Sequence, residues 1–311
     1  MTDTRIPEDR GQLKRRTVLA AGGAAVTAVG VGGAFAAGAS AQEETAANAC
    51  YTLTSELVEG PYYIDADKIR QDVTEDQEGI PLTLALTVID AETCRPLRDA
   101  AVDIWHCNAL GVYSGYESNG SGGGGGGPAP TDAPSGTPTG TPTGEPPSGP
   151  PGGVGGHQEP TDDERYLRGT WRTDRHGRVT FRTVFPGWYQ GRCVHIHVKV
   201  HVDGEWTDAG YEGGHTCHTG QLFFDEASVL LTAEEEPYST NAAARTTLDE
   251  DTIYPGNGHE GGLLYLRYDR RHIARGVHAR LTLGVEPDAT HDGQDSPPQP
   301  TASASTSASA S

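Results

Sequence analysis

Nine residues, Val194 to Val202, constrain this chain more than any others. Val194, Ile196, Val198, Val200 and Val202 alternate with His195, His197, Lys199 and His201. That period of two is a β-strand with one apolar face. The pattern recurs. Leu82, Leu84, Leu86 and Val88 alternate with Thr83, Ala85 and Thr87; Val102 and Ile104 sit in a shorter run ending at Trp105; Val179, Phe181 and Thr183 follow the turn Asp174-Arg175-His176-Gly177. Leu263–Tyr268 and Ala279–Val285 read as the last strands, and 226–236 as one short helix. Strand–turn–strand order throughout predicts an all-β fold.

His195 and His197, two residues apart, project from the non-apolar face of their strand, close enough together to bind one metal ion. The plainer reading is two histidines on a solvated face. The surroundings favour the metal. Pro186-Gly187 forms a turn that presents Tyr189 six residues before His195, with Arg192 between them. Upstream, Tyr113 stands between Gly111 and Gly115, on a loop free to reach an ion, and Tyr116 reads as a pocket wall. His106, beside Trp105, reads as a hydrogen-bonded core histidine rather than a ligand. His215 and His218 fall in a Gly/His-rich stretch, 211–220, that reads as a loop with no regular element to orient a second metal site.

The stretch Pro186-Gly187-Trp188-Tyr189 with Arg192 and His195-Ile196-His197, the stretch Ile104-Trp105-His106-Cys107-Asn108-Ala109-Leu110-Gly111-Val112-Tyr113, and Glu59-Gly60-Pro61-Tyr62-Tyr63 together resemble the intradiol ring-cleavage dioxygenases. Catechol and protocatechuate dioxygenases are the best-known members. The resemblance spans residues 50–118 and 164–285, and its combination of motifs is specific. It implies a β-sandwich core holding one non-haem Fe(III) on Tyr113, Tyr189, His195 and His197. It implies that Tyr62, Tyr116 and Gln221 line the substrate pocket; simple core packing is an equal reading for Tyr62. It further implies that a catechol displaces Tyr189 and a bound hydroxide, which take its protons; that Arg192 stabilises developing negative charge; and that O2 is incorporated to give a muconate-type diacid. The ligand chemistry agrees. Phenolate is a hard anionic donor and imidazole an intermediate one, a set suited to ferric iron rather than soft Cu(I). A bound cation holds tyrosine ionised well below its ordinary pKa of about 10. The chain departs from catechol 1,2-dioxygenases in showing no separate helical dimerisation domain at its N-terminal side. It reads as a stand-alone catalytic core, which leaves oligomeric state and ring substituents open.

Composition bounds the rest. The 311 residues carry 23 basic and 43 acidic side chains, a formal net charge of −20. Residues 1–41 contain Lys14-Arg15-Arg16-Thr17-Val18-Leu19, a weakly apolar Ala/Gly/Val run, and Ala39-Ser40-Ala41. They read as a twin-arginine (Tat) export signal cut after Ala41, too weakly apolar for a permanent anchor. Its removal takes away five basic and three acidic residues and deepens the charge to −22. Such a protein is poorly suited to nucleic acid or anionic membranes. The expected location is extracellular or cell-wall associated. Residues 42–285 form the expected domain. It is interrupted by a Gly/Pro/Thr-rich insertion over 119–163 and followed by a Ser/Ala/Pro tail over 286–311, both too poor in apolar residues to fold. Five cysteines (Cys50, Cys94, Cys107, Cys193 and Cys217) permit one or two disulfides and leave at least one thiol unpaired within the monomer.

Two rival readings carry different chemistry. One is a secreted β-sandwich binding module for an aromatic or cell-wall ligand, without turnover. The other is a zinc hydrolase using His195, His197 and a carboxylate, which would have no need for the two tyrosine segments.

Overall fold

The computed structural model describes residues 50–65, 68–122 and 158–291. The expected export signal, most of the insertion and residues 292–311 of the tail lie outside them. Ten strands account for the architecture: β1 Pro81–Asp90, β2 Ala101–Trp105, β3 Arg168–Arg172, β4 Arg178–Val184, β5 His195–Val202, β6 Glu205–Trp206, β7 Tyr211–Glu212, β8 His215–Phe223, β9 Tyr265–Arg267 and β10 Val277–Val285. They form two four-stranded sheets, ordered β4-β1-β10-β9 and β3-β2-β5-β8, and a small β6-β7 ribbon. All pairs within the sheets are antiparallel except β1 with β10, which run parallel from Leu82↔Val277 to Asp90↔Val285. The fold is the all-β sandwich expected.

The alternating residues define the core. Leu82, Leu84, Leu86 and Val88 of β1, Phe181 of β4 and Leu283 of β10 face Val102 and Ile104 of β2 and Ile196, Val198 and Val200 of β5 in one buried cluster. Each fully buried side chain of this size stabilises the fold by roughly 1.5–3 kcal/mol. Turns use local chemistry. Asp90 Oδ1 accepts from the backbone N–H of Glu92 (2.8 Å) and Thr93 (3.2 Å), closing the turn after β1. The longest helix among the described residues, α1 (Glu226–Ala233), is capped by Asp225, whose carboxylate accepts from Ser228 N at 2.9 Å. Among the described residues no helix is long and apolar enough to cross a membrane.

Three expectations change. The stretch 211–220 is not a loop: it supplies β7 and the first six residues of β8. Pairing with β5 overrides its weak local pattern, with Val202↔His215 and Val200↔His218 in register around a bulge at Val200/His201. The insertion is narrower than 119–163. Residues 117–122 form a 3-10 turn, and residues 158–163 return to it: Thr161 N donates to Gly115 O (2.6 Å) and Tyr116 Oη to Gln158 O (2.7 Å). The tail also starts later than 286, since His291 N donates to Thr216 O at 2.8 Å. Cys50 and Cys94 form a disulfide, while Cys107, Cys193 and Cys217 are buried free thiols.

Candidate metal centre

The apolar residues of β5 point into the sandwich, so His195 and His197 must point out of it. Loops cover them there, and both are nearly inaccessible to solvent. Across the sheet, His197 lies between Trp105 of β2 and Gln221 of β8. The Trp105 ring stacks on it, 4.8 Å between centroids and 10° between planes. The histidine rings meet edge to face, with Nε2 of one 3.1 Å from Nε2 of the other.

The backbone fixes one proton. His195 Nδ1 lies 2.7 Å from Cys193 O. A carbonyl only accepts, so Nδ1 carries the hydrogen and Nε2 presents its lone pair. Burial, reinforced by the Arg192 charge, pulls the His195 pKa down to about 3; burial and His195 pull that of His197 well below its ordinary value. Both rings are therefore neutral at pH 7, the form that can ligate a metal.

The two tyrosines arrive on loops held together at glycines. Asn108 Oδ1 accepts from Leu110 N and Val112 N, both at 3.0 Å, which folds the loop that presents Tyr113. Gly187 N donates to Asn108 O at 3.1 Å. A Cβ on Gly111 would lie 2.2 Å from Trp188 O, and one on Gly187 would lie 2.2 Å from Ala109 O. The two loops thus touch backbone to backbone. As a result the Tyr113 and Tyr189 rings stand 5.8 Å apart, edge to face, and Tyr189 Oη lies 3.3 Å from His195 Nε2. The Tyr113 ring is 6.2 Å from that of His197.

The four side chains fit a hard cation. Tyr113 Oη is buried and makes no hydrogen bond of good geometry, although the Tyr189 phenol is near enough to raise its pKa. Burial, and then Tyr189, push Tyr113 well above its ordinary value. Burial pushes Tyr189 up to about 12, partly offset by Arg192. Without a cation both phenols stay protonated; a bound cation reverses that balance. Among the described residues no group of three or more His, Cys, Asp or Glu side chains could hold a metal, so no carboxylate joins the histidine pair as a zinc hydrolase would require. The Cys107 thiol packs in the same cluster as the tyrosines, and burial pushes its pKa up to about 12. His215 and His218 do not converge. His218 pairs with Glu56, and His215 Nε2 donates to Pro287 O at 2.9 Å.

Arg192 and Gln221 meet beside this cluster. Arg192 Nη2 donates to Gln221 Oε1 at 2.5 Å, and Gln221 Nε2 donates to Val58 O at 3.0 Å. Arg192 Nε donates to Asp251 Oδ2 at 2.9 Å, and this carboxylate also accepts from Cys193 N at 2.8 Å. Burial alone would lower the Arg192 pKa, but Tyr189 and Asp251 outweigh it and the net shift is upward. Burial works against the charged form of Asp251 too, yet Arg192 and the backbone N–H donors bring its pKa down to about 2. The pair is therefore fully charged. Tyr62 packs at 4.8 Å from both Tyr113 and Tyr116, so Tyr116 stands one ring further from the histidines.

Sequence reasoning missed Asp251 and Arg168. Buried Arg168 donates from Nε to Ser114 Oγ (2.9 Å), from Nη1 to Tyr62 O (2.7 Å) and from Nη2 to Ser114 O (2.8 Å). It ties the Tyr62 segment to the Tyr113 loop with its guanidinium 6.0 Å from the Tyr113 ring. Neither residue carries a local signal. Asp251 ends an acidic run and Arg168 sits among other arginines, each indistinguishable from a surface charge until the fold buries it.

The chain is similar to known dioxygenases in part of its sequence and in its fold. Residues 58–124 match the family model described as Dioxygenase. Over 82 residues the chain is 35% identical to the catechol 1,2-dioxygenase of Acinetobacter baylyi, a match covering 25% of this chain and 26% of that one; the chain thus spans about a quarter of the curated relative it matches. The solved intradiol ring-cleavage dioxygenase of Tetranychus urticae superposes with a TM-score of 0.59 at 29% identity, covering 78% of this chain and 98% of that one. The matched segment and the shared fold make this chain similar to the intradiol ring-cleavage dioxygenases, and the buried pairing of two tyrosines with two histidines lies within that similar fold.

Proposed function

We propose that this protein is an Fe(III)-dependent intradiol dioxygenase that opens catechol-like rings between the two hydroxyl-bearing carbons, taking both atoms of O2 into a muconate-type diacid. The observation that carries this reading is the convergence of two buried phenols on two neutral imidazoles. Tyr113, Tyr189, His195 and His197 would hold the iron, which when bound supplies a Lewis acid and one-electron acceptor for the diol and O2. The chain's own groups do the rest. Tyr189 Oη lies at the edge of the cluster with Arg192 nearby to stabilise its phenolate, and it accepts a catechol proton there. Arg192, clamped by Asp251 and Gln221, holds a fixed positive charge where negative charge develops on substrate oxygen. Trp105, Tyr62 and the 108–113 and 186–189 loops exclude water, which strengthens both effects. The twin arginines Arg15-Arg16 support export by the Tat route, and cleavage after Ala41 is testable by N-terminal sequencing of secreted protein.

Optical and EPR spectra of the purified protein, recorded before and after adding catechol, test the main reading. A tyrosinate-to-iron charge-transfer band with a high-spin ferric signal, both altered by catechol, is the expected result. A protein that stays colourless after ferric reconstitution would favour a binding module without turnover.

A further inference from the structure

The outward face of the β4-β1-β10-β9 sheet has a charge pattern that the reaction does not use. This chain has 43 acidic residues against 23 basic ones, yet its strands place no carboxylate on the central part of that face. The register sets Arg182, Thr83, His278 and Arg267 side by side across the four strands. The next row holds Thr180, Ala85, Arg280 and Tyr265, and the row after it Arg178, Thr87 and Thr282. The basic side chains of these rows are exposed, and the small residues of β1 form a floor between them. An open groove of about 900 Å³ runs over Thr83 and Ala85, and Arg270 and Arg275 close it from the loop after β9.

Two carboxylates reach the groove, and both are engaged. Asp269 pairs with His272 at 3.2 Å and Arg275 at 3.7 Å, and Asp225 caps α1. Beside the first row, Arg182 pairs with Asp72 at 2.8 Å, an exposed contact of the kind that contributes little and exchanges readily. Charge fields in salt reach only about 8 Å, so the acidity of the remaining surface does not cancel this patch for a ligand lying in it.

We infer that the groove binds an acidic polysaccharide, a linear chain bearing both carboxylates and hydroxyls. Arginine forks match carboxylates two bonds at a time. Thr83 offers a hydroxyl partner on the groove floor, and Thr87, Thr180 and Thr282 continue the hydroxyls along the open face beside it. Tyr265, 67% exposed in the row of Arg280, presents a flat ring for the apolar face of a sugar. Sites for single-stranded nucleic acid combine positive charge with several aromatic platforms, and this face has one exposed aromatic among its described residues. A bilayer is flat and would not follow the groove floor. His195 and His197 leave the other sheet on its far side, with the core between, so a bound chain would anchor the protein and leave the metal centre open. The inference does not depend on the reaction proposed above.

Affinity electrophoresis of the full chain in gels containing polygalacturonate, with dextran as the neutral control, tests it. Polygalacturonate is expected to retard the protein, dextran is not, and the effect should weaken with salt. The double change Arg267→Ser/Arg280→Ser should weaken binding at least tenfold, and Tyr265→Ala about threefold, with the unfolding temperature unchanged because these side chains face solvent. No retardation, or equal retardation of the double variant, would overturn the inference. So would tighter binding to an oligodeoxythymidine or to phosphatidylglycerol vesicles, or sedimentation showing that the groove is filled by a second copy.

Discussion

At the scale of single residues, the arrangement depends on where charge is allowed to be. Asp251 carries a full negative charge beneath Arg192 because three backbone N–H groups and the guanidinium support it. Asp251→Asn keeps an acceptor but removes the charge. It should lower turnover per bound iron about tenfold while iron content stays unchanged, since Arg192 would no longer be held in one place. Iron assay with steady-state kinetics separates the two, and loss of iron in step with activity would make Asp251 a structural residue. His197→Ala should release iron, and Tyr189→Phe should shift the charge-transfer band; unchanged colour and rate in the second would remove Tyr189 from the site. His106 shows the opposite use of burial. It is fully buried, bonded to Cys107 O and Thr183 Oγ1, and burial lowers its pKa to about 4 from 6.5. The unfolded chain binds this proton below 6.5 and the folded chain only near 4. Stability is therefore full above 6.5 and falls as the pH drops through that window, by up to about 3 kcal/mol. Urea midpoints measured from pH 4 to 7 should show this slope, and His106→Gln should lose that share of it.

Between elements, the decisive contacts are backbone on backbone. The strands supply the histidines, but the tyrosines come from two loops that must touch, and Gly111 and Gly187 make the touch possible. Gly111 also has φ +82°, a conformation that favours glycine. Gly187→Ala should push the loops apart. We expect ferric affinity to fall at least tenfold, with the sheets intact by circular dichroism and a stability loss of about 1–3 kcal/mol. Native affinity in that variant would show that the loops can separate without disturbing the tyrosines. A disulfide fastens Cys50 to Cys94 in the turn after β1, where Tyr51 N also donates to Ala91 O at 3.0 Å.

For the whole molecule, the sandwich presents two unrelated outer faces. One is covered by loops and buries the phenol–imidazole cluster; the other is open and basic. The stem of the insertion is closed by Thr161 N to Gly115 O and by Tyr116 Oη to Gln158 O. Replacing residues 123–157 with a short Gly/Ser link should thus leave folding and iron binding unchanged. Failure of that variant to fold would assign the insertion a structural part. Keeping Gln158 matters, because Tyr116 leans on Tyr62, and Tyr62 on Tyr113.

The strands β1, β2, β4 and β5 were legible because period-two alternation is a local property, written wherever one face of a strand is buried. Tyr113, Tyr189, His195 and His197 were legible because short motifs carry them. Other features were decided by contacts between residues far apart in the chain. The parallel pairing of β1 with β10 joins residues nearly two hundred positions apart, and no local pattern encodes a partner at that distance. The stretch 211–220 became strand because β5 needed a neighbour for its free edge. Arg168 and Asp251 acquired their places only when packing buried them, since the same side chains on a surface would be ordinary charges. The proton on His195 Nδ1, and with it the lone pair that faces the cluster, was settled by a carbonyl whose position depends on the fold.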